Sequence, residues 1–357
     1  MAPRTTTMQT FSCQHCGNKL YFDNTSCVRC GHKIGVLDGQ QVVTLQERDG
    51  ALAPMLPSGA EPVRYCANHE HNACNWLVDA AGNDTFCLAC RHNMTIPDLS
   101  NPKNLFDWQR MEAAKHRLIY MLLRLGLPLT TRQEDPEEGL GFEFKTEEGN
   151  GQPVMTGHAS GVITIDLGEA DDGEREKRRT QMGEPYRTLI GHFRHEVGHW
   201  YWDRLARDGG RLDLVRDTFG DDTEDYGEAL NRHYEQGPPD DWPERFVSSY
   251  ATAHAWEDFA ETWAHYLHII DTLDTASAYR MTVGGEDAMD RAEAEGIDPY
   301  TEPDLDRILS AWMPLTVALN AVNRSMGLPD LYPFVITPAV REKLRTIHTL
   351  VRDAANA

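Results

Sequence analysis

The sequence has no run of apolar residues that approaches the ~20 needed for a membrane-spanning helix. Its first ten residues, MAPRTTTMQT, lack the apolar core of a secretory signal, so we expect a cytoplasmic protein that is not exported by that route. Positive charge is scarce, because 34 Lys and Arg residues stand against 56 Asp and Glu residues, a formal net charge of −22. Such a chain repels phosphate backbones. We therefore expect neither nucleic acid nor a membrane as a partner.

Cysteine is absent from the last three quarters of the chain, since all eight cysteines lie between Cys13 and Cys90. From residue 104 onward the pattern changes to long segments with helical periodicity. The 357 residues, 40% of them hydrophobic, suffice for about two domains. We predict an α+β protein with a small β-rich zinc-ribbon region at residues 1–100 and a mainly helical domain at residues 101–357.

Apolar periodicity and turn residues predict the elements of the second domain. Helices are expected at residues 104–125, 183–206, 256–270, 303–323 and 338–354. Pro185 is expected at the start of the second helix, where its fixed φ angle is favourable. Alternating apolar residues predict a strand at 161–168. The segment 208–241 is rich in Gly, Asp, Glu and Pro, with turn signals at 209–210 and 237–239. The acidic run at 169–176 is expected to be a solvated loop.

Two Cys-x2-Cys-Gly knuckles form an internal repeat near the start of the chain. They contain Cys13, Cys16, Cys27 and Cys30, and a glycine follows the second cysteine of each pair. That glycine permits a turn with positive φ, which brings backbone amides towards the sulfurs. Four thiolates on two facing turns predict a structural zinc site. A pair of disulfides is disfavoured, because thiols stay reduced in the cytoplasm.

A second set of four cysteines predicts a second structural zinc site. Its members are Cys66, Cys74, Cys87 and Cys90, with His69 as an alternative ligand to Cys74 because it lies at Cys-x2-His spacing. Four protein ligands leave no open position, so both sites are expected to serve folding, as in tandem zinc ribbons or rubredoxin-like domains. Zinc contributes roughly 10–16 kcal/mol in small fingers, so chelation is expected to unfold this region.

The second domain contains the pattern His-Glu-x-x-His. His195 and His199 are four residues apart, which places both imidazoles on one face of a helix where they can share one zinc ion. Apolar residues at 189, 193, 197 and 200 form a stripe beside them, as expected for an amphipathic helix. Glu196 lies between the two histidines. We expect it to act as general base towards a zinc-activated water.

A catalytic zinc takes three protein ligands and keeps one position open. Trp202 and Leu205 stand where a His-Glu-x-x-His-x-x-Gly-x-x-His site needs Gly and His, which excludes that arrangement. Glu257 and Glu261 lie four residues apart on the next predicted helix, so one can bind metal and the other can hydrogen-bond a ligand imidazole. A similar order in thermolysin-like and lethal-factor-type zinc peptidases implies Glu257 as the ligand and Glu261 as the supporting acid. Asp258, His254 and His265 are the alternatives to Glu257.

The tetrahedral oxyanion of peptide hydrolysis needs a donor beside the metal. Tyr250 stands seven residues before Glu257, the same offset as a tyrosine in lethal-factor-type sites, and His254 is the alternative. In zinc peptidases an edge strand before the active helix commonly pairs with the substrate, so we expect the strand at 161–168 to bind an extended peptide.

The whole pattern resembles a bacterial family in which an N-terminal zinc-ribbon domain is fused to a zinc-binding metallopeptidase domain. The matching segments are the paired knuckles, CNWLV (74–78), FCLACRHNMTIPDL (86–99), GHFRHEVGHWYWDRL (191–205), SYATAHAWEDFAETWAHYLHI (249–269) and NRSMGLPDLYPFV (323–335). The resemblance covers nearly the entire chain and implies a zincin-like, gluzincin-like hydrolase in the bacterial cytoplasm. Ala255 stands where Pro is expected before Trp-Glu-Asp, which affects helix entry rather than ligation.

These features predict a zinc metallopeptidase that acts on a peptide or protein and holds about three zinc ions, one catalytic and two structural. The alternative is a catalytically silent zinc scaffold that docks a partner protein through its zinc ribbons. Glu196 separates the two, because a scaffold has no need of a carboxylate between two ligand histidines.

Overall fold

The structure is a computed structural model that describes residues 10–56, 61–146, 154, 156–182, 187–284 and 297–356. Its front part is rich in strands and its remainder is mostly helical, so the predicted α+β class is confirmed. None of the helices within the described ranges has the length and the apolar run that a bilayer crossing requires.

Two small sheets make up most of the front part. A hairpin pairs β1 (Phe11–Ser12) with β2 (Lys19–Leu20). An antiparallel meander follows, formed by β3 (Ile34–Leu37), β4 (Gln41–Arg48), β5 (Ala51–Pro54), β6 (Val63–Tyr65) and β7 (Leu77–Asp79). The meander curls back on itself, because the amide of Val36 on β3 donates a 3.0 Å hydrogen bond to the carbonyl of Asn75, just before β7.

A third sheet joins the two parts of the chain. It consists of β8 (Asn93–Thr95), β9 (Gly141–Lys145), β10 (Gly157–Ala159) and β11 (Val162–Asp166) in the order β10-β11-β9-β8. β11 matches the predicted strand but lies inside the sheet, so the expectation that it offers an open edge to a substrate is wrong. Ser160 and Gly161 both have positive φ and turn β10 back onto β11, so β10 is the edge strand of this sheet within the described part of the chain.

Two long helices pack against each other in the second part. α3 (Leu189–Tyr201) begins after Thr188, whose side chain accepts a hydrogen bond from the Gly191 amide, and it continues as a π-helical turn over Trp202–Arg207. The predicted start at Pro185 lies outside the described residues. α7 (Ala255–Ala278) is longer than predicted, and its buried Phe259 and Trp263 belong to the same hydrophobic core as Phe193 and Val197 of α3.

The remaining helices surround this pair. They are α1 (Pro102–Arg124), α2 (Asp172–Met182), α4 (Leu212–Phe219), α5 (Tyr226–Gln236), α6 (Trp242–Arg245), α8 (Leu305–Ser325) and α9 (Pro338–Ala355). The predicted turns at 209–210 and 237–239 fall between helices, but the sequence did not predict α4 and α5, which lie between them. α4 and α5 each bury only a narrow apolar side, with Val215 and Phe219 on α4 and Ala229 on α5. Their exposed polar faces therefore dominate the composition of this segment.

The acidic run at 169–176 is solvated over most of its length, as predicted, but it is helical rather than a loop and its first two residues are buried. A 3-10 turn over Leu167–Ala170 leads into α2, and Glu169 is only 1% exposed. Its carboxylate lies 2.7 Å from the guanidinium groups of both Arg178 and Arg187. Buried carboxylates need such partners. The expectation of solvation fails at Glu169 because these two arginines pair with it.

Candidate metal centres and active site

The first cysteine cluster has the geometry of a tetrahedral sulfur site. The Sγ atoms of Cys13 and Cys30 are 3.6 Å apart, and those of Cys16 and Cys27 are 3.7 Å apart. Four thiolates at ~2.3 Å from one zinc ion stand about 3.8 Å from one another, so these sulfurs fit zinc. Gly17, which follows the first knuckle, has a φ angle of 69°, as the sequence predicts.

The second cluster gathers the sulfurs of Cys66, Cys74, Cys87 and Cys90, all of them buried. The Sγ atoms of Cys74 and Cys87 are 3.7 Å apart. Backbone amides approach the sulfurs, since the Cys87 amide lies 3.4 Å from the Sγ of Cys66. His69, the alternative ligand, instead directs its Nδ1 at the Cys74 carbonyl oxygen, 2.8 Å away, which favours the four-cysteine set.

Helix α1 covers the second cluster with three buried polar side chains. The Nε2 atom of His116 lies 3.2 Å from the Sγ of Cys74, and its Nδ1–H donates a 2.6 Å hydrogen bond to the Glu112 carbonyl oxygen. Lys115 and Glu112 form an ion pair at 2.8 Å with both side chains 0% exposed. The cluster is therefore packed into the helical part of the chain rather than held on a separate ribbon.

The third candidate metal centre lies between α3 and α7. The Oε2 atom of Glu257 is 3.0 Å from the Nε2 of His195 and 3.6 Å from the Nε2 of His199. The two Nε2 atoms are 3.2 Å apart. Three ligands at ~2.0–2.1 Å from one zinc ion in a tetrahedral site stand about 3.3 Å apart, so these residues fit the metal. The buried Oε2 of Glu257 has no hydrogen-bond partner among the described residues, as expected of an atom that faces an ion.

Three side chains orient this group from behind. Glu261 accepts a 2.7 Å hydrogen bond from the Nδ1–H of His195, which leaves the lone pair on Nε2 facing the other two ligands. Ser248 donates a 2.6 Å hydrogen bond to the other oxygen of Glu261. Tyr226 donates a 2.5 Å hydrogen bond to the Oε1 of Glu257. The sequence reasoning missed both Ser248 and Tyr226, because they lie outside the predicted helices.

Glu196 lies on the same side of α3, and its two oxygens have different surroundings. Oε1 is 3.2 Å from the Nε2 of His192, whereas Oε2 is buried and has no hydrogen-bond partner within the described part of the chain. His192 in turn lies 3.8 Å from Glu169, the carboxylate clamped by two arginines. Burial alone would raise the pKa of Glu196, but the hydrogen bond from His192 and the nearby imidazoles lower it, so the group stays ionised.

The other candidates from the sequence make different contacts. The ring of Tyr250 is 6.0 Å from that of His195, and burial raises the pKa of its hydroxyl, which keeps its proton. His254 begins α7: its Nδ1 accepts a hydrogen bond from the Trp256 amide at 3.0 Å, and its Nε2 lies 3.2 Å from the Glu224 carbonyl. Asp258 pairs with Lys343 at 2.6 Å, and His265 pairs with the Tyr332 hydroxyl at 2.7 Å.

His158 and Trp256 complete the wall of the site, and neither was singled out as a site residue from the sequence. The Trp256 ring lies 3.9 Å from that of His199, and the His158 ring lies 6.2 Å from it. Burial lowers the pKa of His158 to about 4, so its ring is neutral near pH 7. His158 belongs to the edge strand β10, which therefore borders the site.

Fold and metal centres together define a class: a cysteine-rich zinc ribbon followed by a helical metallopeptidase-type domain. Residues 104–350 match the family described as "Putative zinc-binding metallo-peptidase", and residues 10–101 match a zinc-ribbon domain family. The chain belongs to this metallopeptidase family and carries a zinc-ribbon domain at its front. The family descriptions and the two cysteine clusters also support zinc as the metal.

Mycobacterial proteins share the whole arrangement. Proteins of Mycobacterium bovis and of two strains of Mycobacterium tuberculosis, all named as uncharacterised, are 43% identical to this chain over 349 residues. The alignment covers 98% of this chain and 96% of each relative. No solved structure matches this chain.

Proposed function

We propose that this protein is a zinc-dependent peptidase whose metal is held by His195, His199 and Glu257. The observation that carries the proposal is the Oε2 of Glu196, buried without a hydrogen-bond partner among the described residues beside three atoms spaced as zinc ligands. A buried carboxylate oxygen with no protein partner is costly unless something else occupies the space. Zinc bound there would supply Lewis acidity towards a water molecule and a peptide carbonyl.

The side chains divide the remaining work of hydrolysis. Glu196 removes a proton from the attacking water through Oε2 and later delivers it to the leaving amine nitrogen. His192 holds the other oxygen of Glu196, 3.2 Å away, and so fixes the direction of the base. Glu261 keeps His195 in the tautomer whose Nε2 faces the metal. Tyr250 is the proposed donor to the oxyanion, because His254 already uses both ring nitrogens at the start of α7.

The substrate that fits this site is an extended peptide segment. β10 is an edge strand of the third sheet, packs against α3 and carries His158 at the wall of the site. An edge strand offers unpaired backbone groups to which an extended peptide can hydrogen-bond. We propose that the scissile bond reaches the metal while the peptide lies along β10.

The remaining parts of the proposal concern zinc content and surroundings. We propose three zinc ions per chain, two held by the cysteine clusters and one by the His195 group. A bacterial cytoplasmic location and the docking of a partner protein through the zinc ribbons remain predictions.

The test compares two glutamate-to-glutamine variants on a mixed peptide library, with cleavage read by mass spectrometry and zinc content by elemental analysis. Glu196→Gln keeps its metal, and we expect a loss of roughly 10²–10⁴-fold in cleavage rate. Glu235→Gln, on the exposed face of α5, is the matched control and keeps full activity. Cleavage that survives Glu196→Gln contradicts the assignment of the base. A wild-type protein with three zinc ions that cleaves nothing favours the silent scaffold.

A further inference from the structure

We propose that Tyr226 is a positioning residue for the metal site. Its hydroxyl holds Glu257 by one carboxylate oxygen, so that only the other oxygen faces the two imidazoles. The inference rests on the zinc site of the proposed function and concerns how the chain sets the number of bonds to the metal. It assigns a role to α5, a helix that the sequence did not predict because its segment is rich in Gly, Asp, Glu and Pro.

The contacts of the two Glu257 oxygens carry the argument. Oε1 accepts the 2.5 Å hydrogen bond from Tyr226, and Oε2 faces the Nε2 atoms of His195 and His199 at 3.0 and 3.6 Å. The whole side chain is 1% exposed, so bulk water does not compete for Oε1. We expect the hydrogen bond from the phenol to leave the other oxygen of Glu257 as the one that binds metal. A zinc ion held by three such ligands would keep its fourth position for water, as a catalytic site requires.

The aromatic ring of Tyr226 is fixed by the beginning of α7, the helix that carries Glu257. The ring lies edge-on against His254 at 5.5 Å and against Trp256 at 5.6 Å between ring centroids. Tyr226 is also the first residue of α5, whose start is stabilised by a hydrogen bond from the Glu228 amide to the Asp225 side chain. The hydroxyl therefore reaches Glu257 from a ring whose position is set by the start of α5 and by its contacts with His254 and Trp256. This is the supporting geometry that metal ligands typically have.

The experiment measures zinc affinity rather than cleavage. Tyr226→Phe keeps the ring and removes only the hydroxyl. We expect the His195-bound zinc to dissociate at a 10–100-fold lower chelator concentration, the effect typical of lost support behind a ligand. Tyr234→Phe is the matched control, because Tyr234 lies on the same helix with 62% of its surface exposed. Its zinc affinity stays at the wild-type value.

A spectroscopic measurement distinguishes positioning from simple loss of stability. Cobalt loaded into the His195 site of Tyr226→Phe can gain the freed Oε1 as an additional ligand, so its visible absorption weakens relative to the wild-type protein. Zinc affinity within twofold of wild type, or an unchanged cobalt spectrum, overturns the inference. A fall in cleavage rate with unchanged affinity also overturns it, because Tyr226 would then act on the substrate. Failure of the peptidase proposal appears separately, as a zinc-loaded wild-type protein without cleavage.

Discussion

Gly198 lies where α3 packs tightly against α7 beside the candidate metal site, and replacing it with alanine tests that packing. A Cβ atom at this position would stand 3.0 Å from the Cα of Ala260 and 3.2 Å from the Cβ of Trp263. Neither neighbour is the flexible end of a side chain, so α7 has to give by a few tenths of an ångström to admit the methyl group. Gly198 directly precedes His199, and Ala260 lies three residues after Glu257, so this shift also displaces the ligands.

Two opposing effects set the magnitude. Alanine gains ~0.8–1.0 kcal/mol over glycine through helix propensity, whereas inserting a methyl group into a packed core costs about 1–3 kcal/mol. The net expectation for Gly198→Ala is a free energy of unfolding lower by about 0–2 kcal/mol. Gly227→Ala in α5 is the control, because its Cβ would make only an ordinary contact, 3.4 Å from the Asp225 side chain. It makes the same gain in helix propensity without the packing cost, so we expect it to be more stable than Gly198→Ala by about 1–3 kcal/mol.

Urea unfolding of the zinc-loaded proteins gives both free energies, and chelator competition gives the affinity of the His195 site. We expect Gly198→Ala to fall below Gly227→Ala in stability and to bind its zinc more weakly than the wild-type protein. If Gly198→Ala is as stable as Gly227→Ala, the two helices have room for a methyl group and the packing argument is refuted.

Three further predictions address other parts of the molecule. Burial opposes the ionisation of Glu169, but His192 and Arg187 hold the pKa of its carboxyl well below the usual value. The ionised carboxylate therefore stabilises the fold above about pH 4.3, the pKa of glutamate in the unfolded chain, and this stabilisation is lost as the pH falls towards the lower pKa of the folded protein. Glu169→Gln should therefore flatten the acid side of the stability profile in thermal unfolding between pH 3 and 7; an unchanged profile contradicts this. Cys16→Ser should lose one zinc by elemental analysis without lowering the unfolding temperature of the helical part. Cys87→Ser should also lose one zinc, and it should lower that unfolding temperature because the second cluster packs on α1. Equal unfolding temperatures for the two variants contradict this packing. Tyr250→Phe should lower the cleavage rate by roughly 10²–10³-fold at unchanged zinc affinity, and a normal rate removes Tyr250 from the oxyanion role.

Local periodicity accounts for what the sequence predicts well. The spacing of His195 and His199, and that of Glu257 and Glu261, is a property of single helices, so the sequence fixes which side chains share a face. The cysteine clusters can be predicted for the same reason, because each Cys-x2-Cys knuckle is a tight turn encoded by a few neighbouring residues. Glycine after the first knuckle adopts the positive φ that the turn requires, as Gly17 shows.

Contacts between distant segments account for what the sequence does not predict. Whether a strand lies at an edge depends on its neighbours, so β11 gives no local sign that β10 covers it. Glu169 is buried only because Arg178 and Arg187 reach it from later positions. Tyr226 has one local signal, the Asp-x-x-Glu pattern at 225–228 that predicts a helix start, but the glycines and acids around it indicate turns.

The contacts of the second cysteine cluster connect the zinc ribbon to the helices that carry the candidate active site. Its sulfurs touch His116, and its last cysteine leads into β8, which extends the sheet beside β9. Lys115 and Glu112 of α1 form a fully buried ion pair beneath this cluster. Unfolding the cluster would remove the protein surroundings in which this pair is buried. Because α1 packs on α3, the helix that carries His195 and His199, zinc bound by these sulfurs would also stabilise the position of α3. The roughly 10–16 kcal/mol that zinc can contribute to a small domain would then support the candidate site on α3 as well as the ribbon.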